Sequence, residues 1–290
     1  MFVRAMGAWM RIWTAVKRLL TGRKYVSIGN RQIGIGNRLM MLANTYCNFG
    51  KENISLFWSV DDWVPEKFEN LFVMTDAKGF RAVSRPSAWF DRTFFVPYPK
   101  GHSKNAWFLY ATPSQVASLK GRGLFCLYND TPQWAIEKYG AFFCQLKPGD
   151  AVARRISECE LPADVVCVQA RNSHGAMDFA NVASLENLMA YMRRFGREQK
   201  FFISCMEKEV SARLHVEFGG QIIELPGKNS RSMIDAVADM YLLSRGKEIV
   251  CTKGSTFAEV AWWLSVCNGL CPAKVTALSA DYKQNGIVIV

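Results

Sequence analysis

Hydrophobic and polar residues alternate in a regular rhythm over the second half of the chain and more weakly over the first. Four short apolar runs predict buried strands at residues 165–168, 201–204, 221–223 and 248–251. After each run, apolar residues recur every three or four positions and predict helices at 184–195, 207–218, 232–244 and 255–265. This order predicts an α/β fold in which crossover helices join parallel strands.

The first half opens with the same order of elements. Residues 25–28 predict a strand, a glycine-containing loop follows, and apolar positions over 39–47 predict a helix. Residues 54–58 predict a second strand. The stretch 61–123 is rich in aromatic and turn residues and predicts no clear order of elements.

The length of 290 residues is enough for two domains. The weakest stretch between the two halves is 146–160, which contains a Lys-Pro-Gly-Asp turn. We therefore predict an N-terminal α/β domain over 25–150 and a C-terminal α/β domain over 151–290.

Residues 1–24 predict an amphipathic helix with a strongly basic face. The first 51 residues carry nine basic side chains and no acidic one, so they hold most of the net charge of +11. At 100° per residue, one face carries Arg4, Arg11 and Arg18 and the opposite face carries Trp9 and Trp13. Because arginines interrupt the apolar runs, we expect neither a membrane span nor an export signal. The helix contacts either an anionic membrane surface or the body of the protein itself.

Charge and cysteine usage bear on the partners and the compartment. Basic residues concentrate near the N-terminus instead of covering a face with interleaved aromatic residues, so we expect no nucleic-acid partner. The nine cysteines include no C-x-x-C pair and have mostly apolar neighbours, which predicts reduced thiols in the cytoplasm. None of the three histidines lies near a cysteine pair with zinc-ligand spacing, so we expect no structural metal site.

The residues that follow each strand are candidate site residues, because ligands of open α/β sheets bind beyond the C-terminal ends of the strands. The first exit reads Gly34-Ile35-Gly36-Asn37-Arg38 and forms either a tight turn or a loop that brings an anion to a helix start. The exit after 165–168 reads Gln169-Ala170-Arg171, and its arginine binds either a phosphate or an acidic side chain.

The exit after 248–251 leads into a helix through Ser255, Thr256 and Phe257. Two hydroxyl groups at a helix start either cap the helix or hold a phosphate, and both roles can coexist. The preceding apolar helix carries Asp235 and Asp239 one turn apart. A carboxylate there either faces solvent or needs hydrogen-bond donors, and guanine offers a matched pair in its N1–H and 2-amino group.

Together these motifs resemble the α1,2-, α1,6- and protein-O-fucosyltransferase superfamily. The resemblance rests on the run 236–245, which contains Asp239-Met240-Tyr241-Leu242-Leu243-Ser244, and on the strand and Ser/Thr-rich helix start over 249–262. Residues 34–39 are similar to the family's N-terminal G-x-G-N-[QR] loop, and Gln169-Ala170-Arg171 takes the place of its H-x-R-R motif. The order and spacing of these motifs agree over most of the chain.

The resemblance implies a GT-B architecture, in which two Rossmann-type α/β domains face a cleft. It makes 25–150 the acceptor-side domain and 151–290 the nucleotide-sugar-binding domain, which holds most of a GDP-fucose donor. It also implies an inverting transfer that needs neither a metal ion nor another cofactor. Arg171 corresponds to the family's essential arginine on the donor diphosphate, and Asp239 to the acid that binds guanine. The donor-binding residues it implies are Gly34, Gly36, Asn37, Arg38, Gln169, Arg171, Asp239, Ser255, Thr256 and Phe257.

The chain departs from the family pattern at several positions. Gln169 stands where the motif has histidine, Asn172 replaces its second arginine, and its acid falls at or near His174. The Asp-rich exit of the next strand is Ser204-Cys205-Met206-Glu207 here. These departures bear on the choice of donor sugar more than on the class of activity.

The expected function is transfer of fucose from GDP-fucose to a hydroxyl group of a surface polysaccharide, lipopolysaccharide or glycolipid at the cytoplasmic face of a membrane. The candidate bases for the acceptor hydroxyl are Asp178, Glu207, Asp61 and His174. The pair Asp61-Asp62 forms either a solvated loop or a metal-binding pair. Two alternatives stay open: transfer from another GDP-sugar, or a membrane-associated protein that binds a glycan or nucleotide without catalysis.

Overall fold

The computed structural model describes residues 16, 24–28, 34–48, 54–75, 80–84, 96–97, 128–171, 183–267 and 273–278. Apart from residues 16 and 24, the helix predicted over 1–24 lies outside this part of the chain, as do Asn172, His174 and Asp178. Within the described ranges, no helix combines the length and the apolar character needed to cross a membrane.

The chain divides into two compact units. The first consists of Met1–Leu124 and Gln145–Gly149, and the second of Phe125–Cys144 and Asp150–Val290. The sequence predicted a single division near residue 150, whereas the chain passes between the units three times. Phe125–Cys144 lies in the second unit because the Asn129 side chain bonds both the backbone N–H and the carbonyl oxygen of Val275.

The first unit is built on a parallel sheet. Its elements are β1 (Lys24–Ile28), α1 (Ile35–Asn48), β2 (Ile54–Trp58), α2 (Phe68–Leu71), β3 (Phe72–Met74), β4 (Phe80–Val83) and β5 (Val96–Pro97). Four of the strands pair in the order β4-β2-β1-β5. Helix α1 buries the apolar residues Leu39, Met40, Leu42, Ala43 and Tyr46, as the spacing in the sequence predicts.

The chain returns to the first unit through a short strand that the sequence did not predict. Strand β6 (Leu146–Pro148) pairs with β3 in antiparallel register. At its end the Gly149 N–H donates to the Leu71 carbonyl oxygen at 2.9 Å, and a Cβ on Gly149 would lie 2.8 Å from the Asn70 carbonyl oxygen. Glycine is therefore required at this crossing.

The second unit carries the regular alternation of helices and strands. Its elements are α3 (Gln133–Gln145), α4 (Asp150–Ser157), β7 (Val166–Ala170), α5 (Leu185–Met192), β8 (Phe201–Cys205), α6 (Lys208–Phe218), β9 (Ile222–Ile223), α7 (Met233–Leu243), β10 (Glu248–Thr252), α8 (Thr256–Cys267) and β11 (Lys274–Leu278). The strands form a five-stranded parallel sheet in the order β11-β10-β7-β8-β9. The predicted strands and helices of this half are confirmed within a few residues. Helices α3 and α4 and strand β11 were not predicted, and α4 lies within the stretch 146–160 that the sequence suggests as a connection.

Both faces of this sheet are covered, which explains why β7, β8 and β10 are buried along their whole length. Val166, Val168 and Ile203 join the apolar cluster under α5 and α6. Alternation along the strands turns Gln169 and Ser204 to the opposite face, where α7 packs against α4 and α8. Polar side chains therefore lie under α7 and α8 at the C-terminal edge of the sheet.

The prediction that all nine cysteines are reduced is wrong for one pair. Cys144, near the end of α3, forms a disulfide with Cys267, at the end of α8, with their Cα atoms 4.9 Å apart. The two residues are 123 positions apart in the chain, so no short spacing motif marks them. Cys47, Cys159, Cys167, Cys205 and Cys251 form no disulfide.

Candidate functional site

The C-terminal ends of β7, β8 and β10 bring together several of the predicted residues of the second unit. Ser255 Oγ donates to Gln169 Oε1 at 2.6 Å and accepts from the Ala258 N–H at 3.3 Å. Ser255 thus caps α8 and is bonded to the end of β7. Thr256 and Phe257 follow in the first turn of α8 and are half-buried.

The turn from β10 into α8 has a fixed shape. Gly254 has a φ of +83°, a conformation that favours glycine, and the Ser255 N–H donates to the Thr252 carbonyl oxygen at 3.2 Å. The buried Tyr128 hydroxyl donates to the Ser255 carbonyl oxygen at 3.1 Å. This turn presents the start of α8 at the sheet edge, where amide N–H groups and the helix dipole favour an anion.

Arg171 is the first residue after β7 and is exposed. It contributes to a pocket at the sheet edge together with Gln169, Ser184, Thr252 and Leu278. Ser184 is the N-cap of α5 and accepts from the Asn187 N–H at 3.2 Å. A guanidinium group beside a helix start and hydroxyl side chains is suited to a phosphate group.

Asp239 is buried on α7, with 1% of its surface exposed, so it is not a solvent-facing helix residue. Its Oδ2 accepts from Ser204 Oγ at 2.8 Å and from the Lys228 ammonium, while its Oδ1 has no partner among the described residues. Burial raises the pKa of Asp239 to about 6, against the opposing effects of Lys228 and Ser204. The carboxylate is therefore mostly ionised at pH 7, and its buried Oδ1 is an acceptor that no described donor satisfies.

The bonded pair Asp239–Ser204 and the bonded pair Ser255–Gln169 lie at neighbouring positions of the sheet edge. Gln169 and Ser204 are register partners in the parallel pair β7–β8, which places their backbones about 4.8 Å apart. Ser204 binds Asp239 and Gln169 binds Ser255. The predicted guanine-binding acid and the predicted phosphate-side hydroxyl thus lie at one edge of one sheet.

Asp235, one turn before Asp239, has a structural role. It accepts from Arg155 Nε at 2.8 Å and from the Asn229 N–H at 2.7 Å. Arg155 Nη2 also donates to the Pro226 carbonyl oxygen at 2.8 Å. These bonds fix the segment before α7, on which Lys228 lies.

In the first unit, Gly34 precedes α1, and Gly36, Asn37 and Arg38 lie in its first turn. The Asn37 Oδ1 atom is buried and has no partner in the described ranges, so it has capacity for a donor. An added Cβ on Gly34 would meet no described atom within 4 Å, so local packing does not explain this glycine.

Arg38 contacts the protein itself instead of pointing toward a ligand. It is fully buried, donates to Asp61 Oδ1 and Oδ2 at 2.6 and 2.7 Å, and also donates to the Ser59 carbonyl oxygen. Its guanidinium lies 5.5 Å from the centre of the Trp58 ring. Burial lowers the pKa of Arg38, and the Asp61 carboxylate opposes this effect. These bonds give Arg38 a structural role, and its assignment to donor binding stays a prediction.

Asp61 is likewise committed to the fold. Besides Arg38, it accepts from the backbone N–H groups of Trp63 and Val64, both at 3.1 Å. The turn that includes Asp62 is closed by these bonds, and the described residues contain no group of three or more potential metal ligands. A base that abstracts a proton needs a carboxylate that is open to substrate, so Asp61 is a poor candidate.

Of the other candidate bases, Glu207 is half-buried and lies two residues beyond β8, at the same sheet edge as Ser204. His174 and Asp178 lie outside the described residues. Sequence reasoning missed Lys228 and Tyr128. A Pro-Gly turn is the only local signal before Lys228, and neither residue belongs to a motif.

No protein-family model matches the sequence, and no curated protein matches it significantly. Among solved structures, it is similar to NodZ α-1,6-fucosyltransferase soaked with GDP-fucose, with 18% identity over 83% of this chain and 93% of that chain and a TM-score of 0.51. It is similar to fucosyltransferase NodZ from Bradyrhizobium, with 17% identity over 82% of this chain and 93% of that chain and a TM-score of 0.51. It is also similar to POFUT1 in complex with GDP, with 11% identity over 87% of this chain and 98% of that chain and a TM-score of 0.51.

The chain has a fucosyltransferase-like fold. The resemblance read from the sequence motifs is thus confirmed at the level of the fold, a mixed α/β structure with parallel sheets. These three structures are matched over 93–98% of their chains.

Proposed function

We propose that this protein is a GDP-fucose-dependent glycosyltransferase of GT-B architecture, in which two Rossmann-type domains face a cleft and the second unit holds most of the donor. One observation carries the proposal. Asp239, a buried carboxylate with one unpaired oxygen, bonds Ser204, and Ser255, the hydroxyl cap of a helix, bonds Gln169. Ser204 and Gln169 are register partners on neighbouring strands, at the ligand-binding edge of a parallel sheet. Guanine and a diphosphate are matched to these two features.

The donor diphosphate is bound without a metal ion in this proposal. When GDP leaves, negative charge builds up on the diphosphate, and a bidentate arginine with a helix start can stabilise it. Arg171 and the first turn of α8 are the groups in the second unit that supply this stabilisation. Gly36 and Asn37 are the remaining candidates for contact with the diphosphate from the first unit.

The transfer proposed is an inverting one. The acceptor hydroxyl oxygen attacks C1 of fucose, the bond from C1 to the β-phosphate oxygen breaks, and the hydroxyl proton passes to a base. Glu207 is the candidate base that the described structure leaves at the sheet edge, and Asp178 and His174 remain candidates from the sequence. GDP leaves with the electron pair of the broken bond.

The acceptor is proposed to be a surface polysaccharide, lipopolysaccharide or glycolipid that is modified at the cytoplasmic face of a membrane. Support comes from the basic N-terminal segment, because nine basic residues without an acid over the first 51 positions favour an anionic lipid surface. The protein would then be peripheral, and residues 1–24 would lie on the membrane.

The test is release or transfer of sugar from radiolabelled GDP-fucose, with GDP-mannose as the comparison donor and with EDTA in a parallel reaction. We expect turnover of GDP-fucose that EDTA leaves unchanged. Turnover of GDP-mannose alone would favour another GDP-sugar, and nucleotide binding without turnover would favour a non-catalytic protein. Activity that EDTA removes and manganese restores would contradict the metal-free mechanism.

A variant of Arg171 tests its catalytic assignment. Lysine cannot reproduce the bidentate fork on a diphosphate, so Arg171→Lys is expected to retain less than about a tenth of the wild-type turnover. The matched control is Arg193→Lys, because Arg193 is an exposed arginine that bonds Glu217 at 2.7 Å. Equal turnover of the two variants would remove Arg171 from the mechanism.

A further inference from the structure

The segment between β9 and α7 brings the Lys228 side chain into contact with Asp239. Its backbone is held by Arg155, which bonds Pro226, and by Asp235, which accepts from the Asn229 N–H. Gly227 takes the left-handed conformation with a φ of +57°, which turns the chain directly before Lys228. The Lys228 side chain is 12% exposed, so most of it is removed from water.

The two oxygens of the Asp239 carboxylate differ in their hydrogen-bond partners. Oδ2 receives both Lys228 and Ser204, and Oδ1 is buried without a partner among the described residues. A buried acceptor without a donor is unfavourable, and a carboxylate oxygen can accept two hydrogen bonds. Lys228 therefore does not occupy the oxygen that is left for a ligand, and a ligand need not displace it.

The charged groups around Asp239 make Lys228 the principal cation that acts on it. Asp235 on the same helix disfavours the charged form of Asp239. On the side of α4, burial and Asp239 raise the pKa of Cys159, and Arg245 lowers it. Beyond Lys228, the neighbouring titratable groups are Cys205, Glu207 and Glu224, which are thiol or acidic. Burial, the largest effect, raises the pKa of Asp239, and Lys228 is the largest opposing one.

We propose that Lys228 is a positioning residue for nucleotide specificity: it keeps Asp239 ionised and holds Oδ2, so that Oδ1 faces the donor edge of guanine as a charged acceptor. The inference rests on the proposed function, because guanine is the ligand of that function. Ionisation matters because hydrogen bonds to a charged acceptor are about twice as strong as those to a neutral one. Loss of Lys228 would raise the pKa of Asp239 further, so a larger fraction of the carboxyl group would be neutral at pH 7 and the recognition of guanine would weaken.

The experiment measures GDP and IDP binding by calorimetry from pH 5 to pH 9. IDP lacks the 2-amino group of GDP, so the ratio of the two affinities reports one hydrogen bond to Asp239. For the wild type we expect a GDP preference of about tenfold or more above pH 6 that falls at lower pH. In Lys228→Met the preference at pH 7 should fall by at least about threefold and recover only at higher pH. Lys228→Arg, which keeps the charge, should retain it.

Two controls separate this role from a general one. Lys247→Met removes an exposed lysine that bonds the neutral Gln199 side chain at 2.9 Å, and it should behave as the wild type. Ser204→Ala removes one bond to Oδ2 and should reduce the preference for GDP over IDP by a smaller factor than Lys228→Met does. If Lys228→Met does not fold, Ser204→Ala and the neutral variant Lys228→Gln, which should also reduce this preference, provide the test.

Several outcomes would overturn the inference. Equal weakening of GDP and IDP at every pH would show that Lys228 acts on the diphosphate, and tighter GDP binding by Lys228→Met would show that it competes with the base. If the wild type binds neither nucleotide, the proposed function fails together with the guanine part of the inference. The pairing of Lys228 with Asp239 is then tested on the unliganded protein. The pH dependence of the free energy of unfolding, compared with that of Asp239→Asn, gives the pH at which Asp239 titrates. This pH must be higher in Lys228→Met, and an unchanged value would refute the pairing.

Discussion

Removal of the Asp61 carboxylate should destabilise the first unit strongly, because it leaves a buried arginine without its counter-ion. Arg38 is fully buried and both oxygens of Asp61 accept from it, at 2.6 and 2.7 Å. Breaking a buried ion pair by removing one partner costs about 3–5 kcal/mol. Asp61 keeps 28% side-chain exposure, which favours the lower end of that range. Loss of the bonds to Trp63 and Val64 adds about 1 kcal/mol.

We therefore expect Asp61→Ala to lower the free energy of unfolding of the first unit by about 3–4 kcal/mol. The matched control is Asp62→Ala, because Asp62 is the exposed neighbour and its removal should change stability by less than about 0.5 kcal/mol. The assay is urea-dependent hydrogen exchange of the α1 amides, which reports the unit that contains Arg38. The double variant Arg38→Met/Asp61→Ala should recover part of the loss, since no buried charge remains.

Equal stabilities of Asp61→Ala and Asp62→Ala would refute the ion-pair argument. The same variants bear on catalysis. If Asp61 were the general base, Asp61→Asn would lose turnover by orders of magnitude while the fold kept its stability. We expect the reverse: any loss of turnover follows the loss of folded protein.

Two further predictions concern the second unit. Because the folded-state pKa of Asp239, about 6, lies above its ordinary value of 3.8, the folded protein binds this proton more tightly than the unfolded chain. The free energy of unfolding of the wild type, measured against that of Asp239→Asn, should thus fall by about 3 kcal/mol as the pH rises from about 4 to 7. Urea titrations at several pH values measure this difference, and a difference that is constant with pH would contradict the prediction. Replacing Cys144 and Cys267 by serine should cost about 2–4 kcal/mol in reductant-free urea unfolding, and reductant should then affect the wild type alone.

The sequence predicted most of the second unit because its signals are local. Each strand is a short apolar run, and Ser232 and Ser255 are hydroxyl residues at helix starts, where they cap the helices. Parallel strands align their C-terminal ends, so Gln169 and Ser255 could be placed at one edge from the order of elements alone. Strand β11 was not predicted because the other strands of this half were recognised by the helical pattern that follows each of them, and no such pattern follows β11.

Contacts that join distant parts of the chain could not be predicted. Arg38 and Asp61 are 23 positions apart, and Cys144 and Cys267 are 123 apart. The sequence shows that an arginine follows a glycine loop, but not whether its side chain turns inward or toward a ligand. The pairing of Lys228 with Asp239 depends on how the segment before α7 folds back over that helix. Local spacing does not encode this return.

The measurement that tests the central claim most directly is a calorimetric titration of the full chain with GDP, UDP and ADP under the same conditions. A site built around the Asp239 carboxylate and the guanine donor edge should bind GDP at least about tenfold more tightly than UDP or ADP, because uracil and adenine lack the adjacent N1–H and 2-amino donors. Equal affinity for the three nucleotides, or no binding of GDP, would contradict the account.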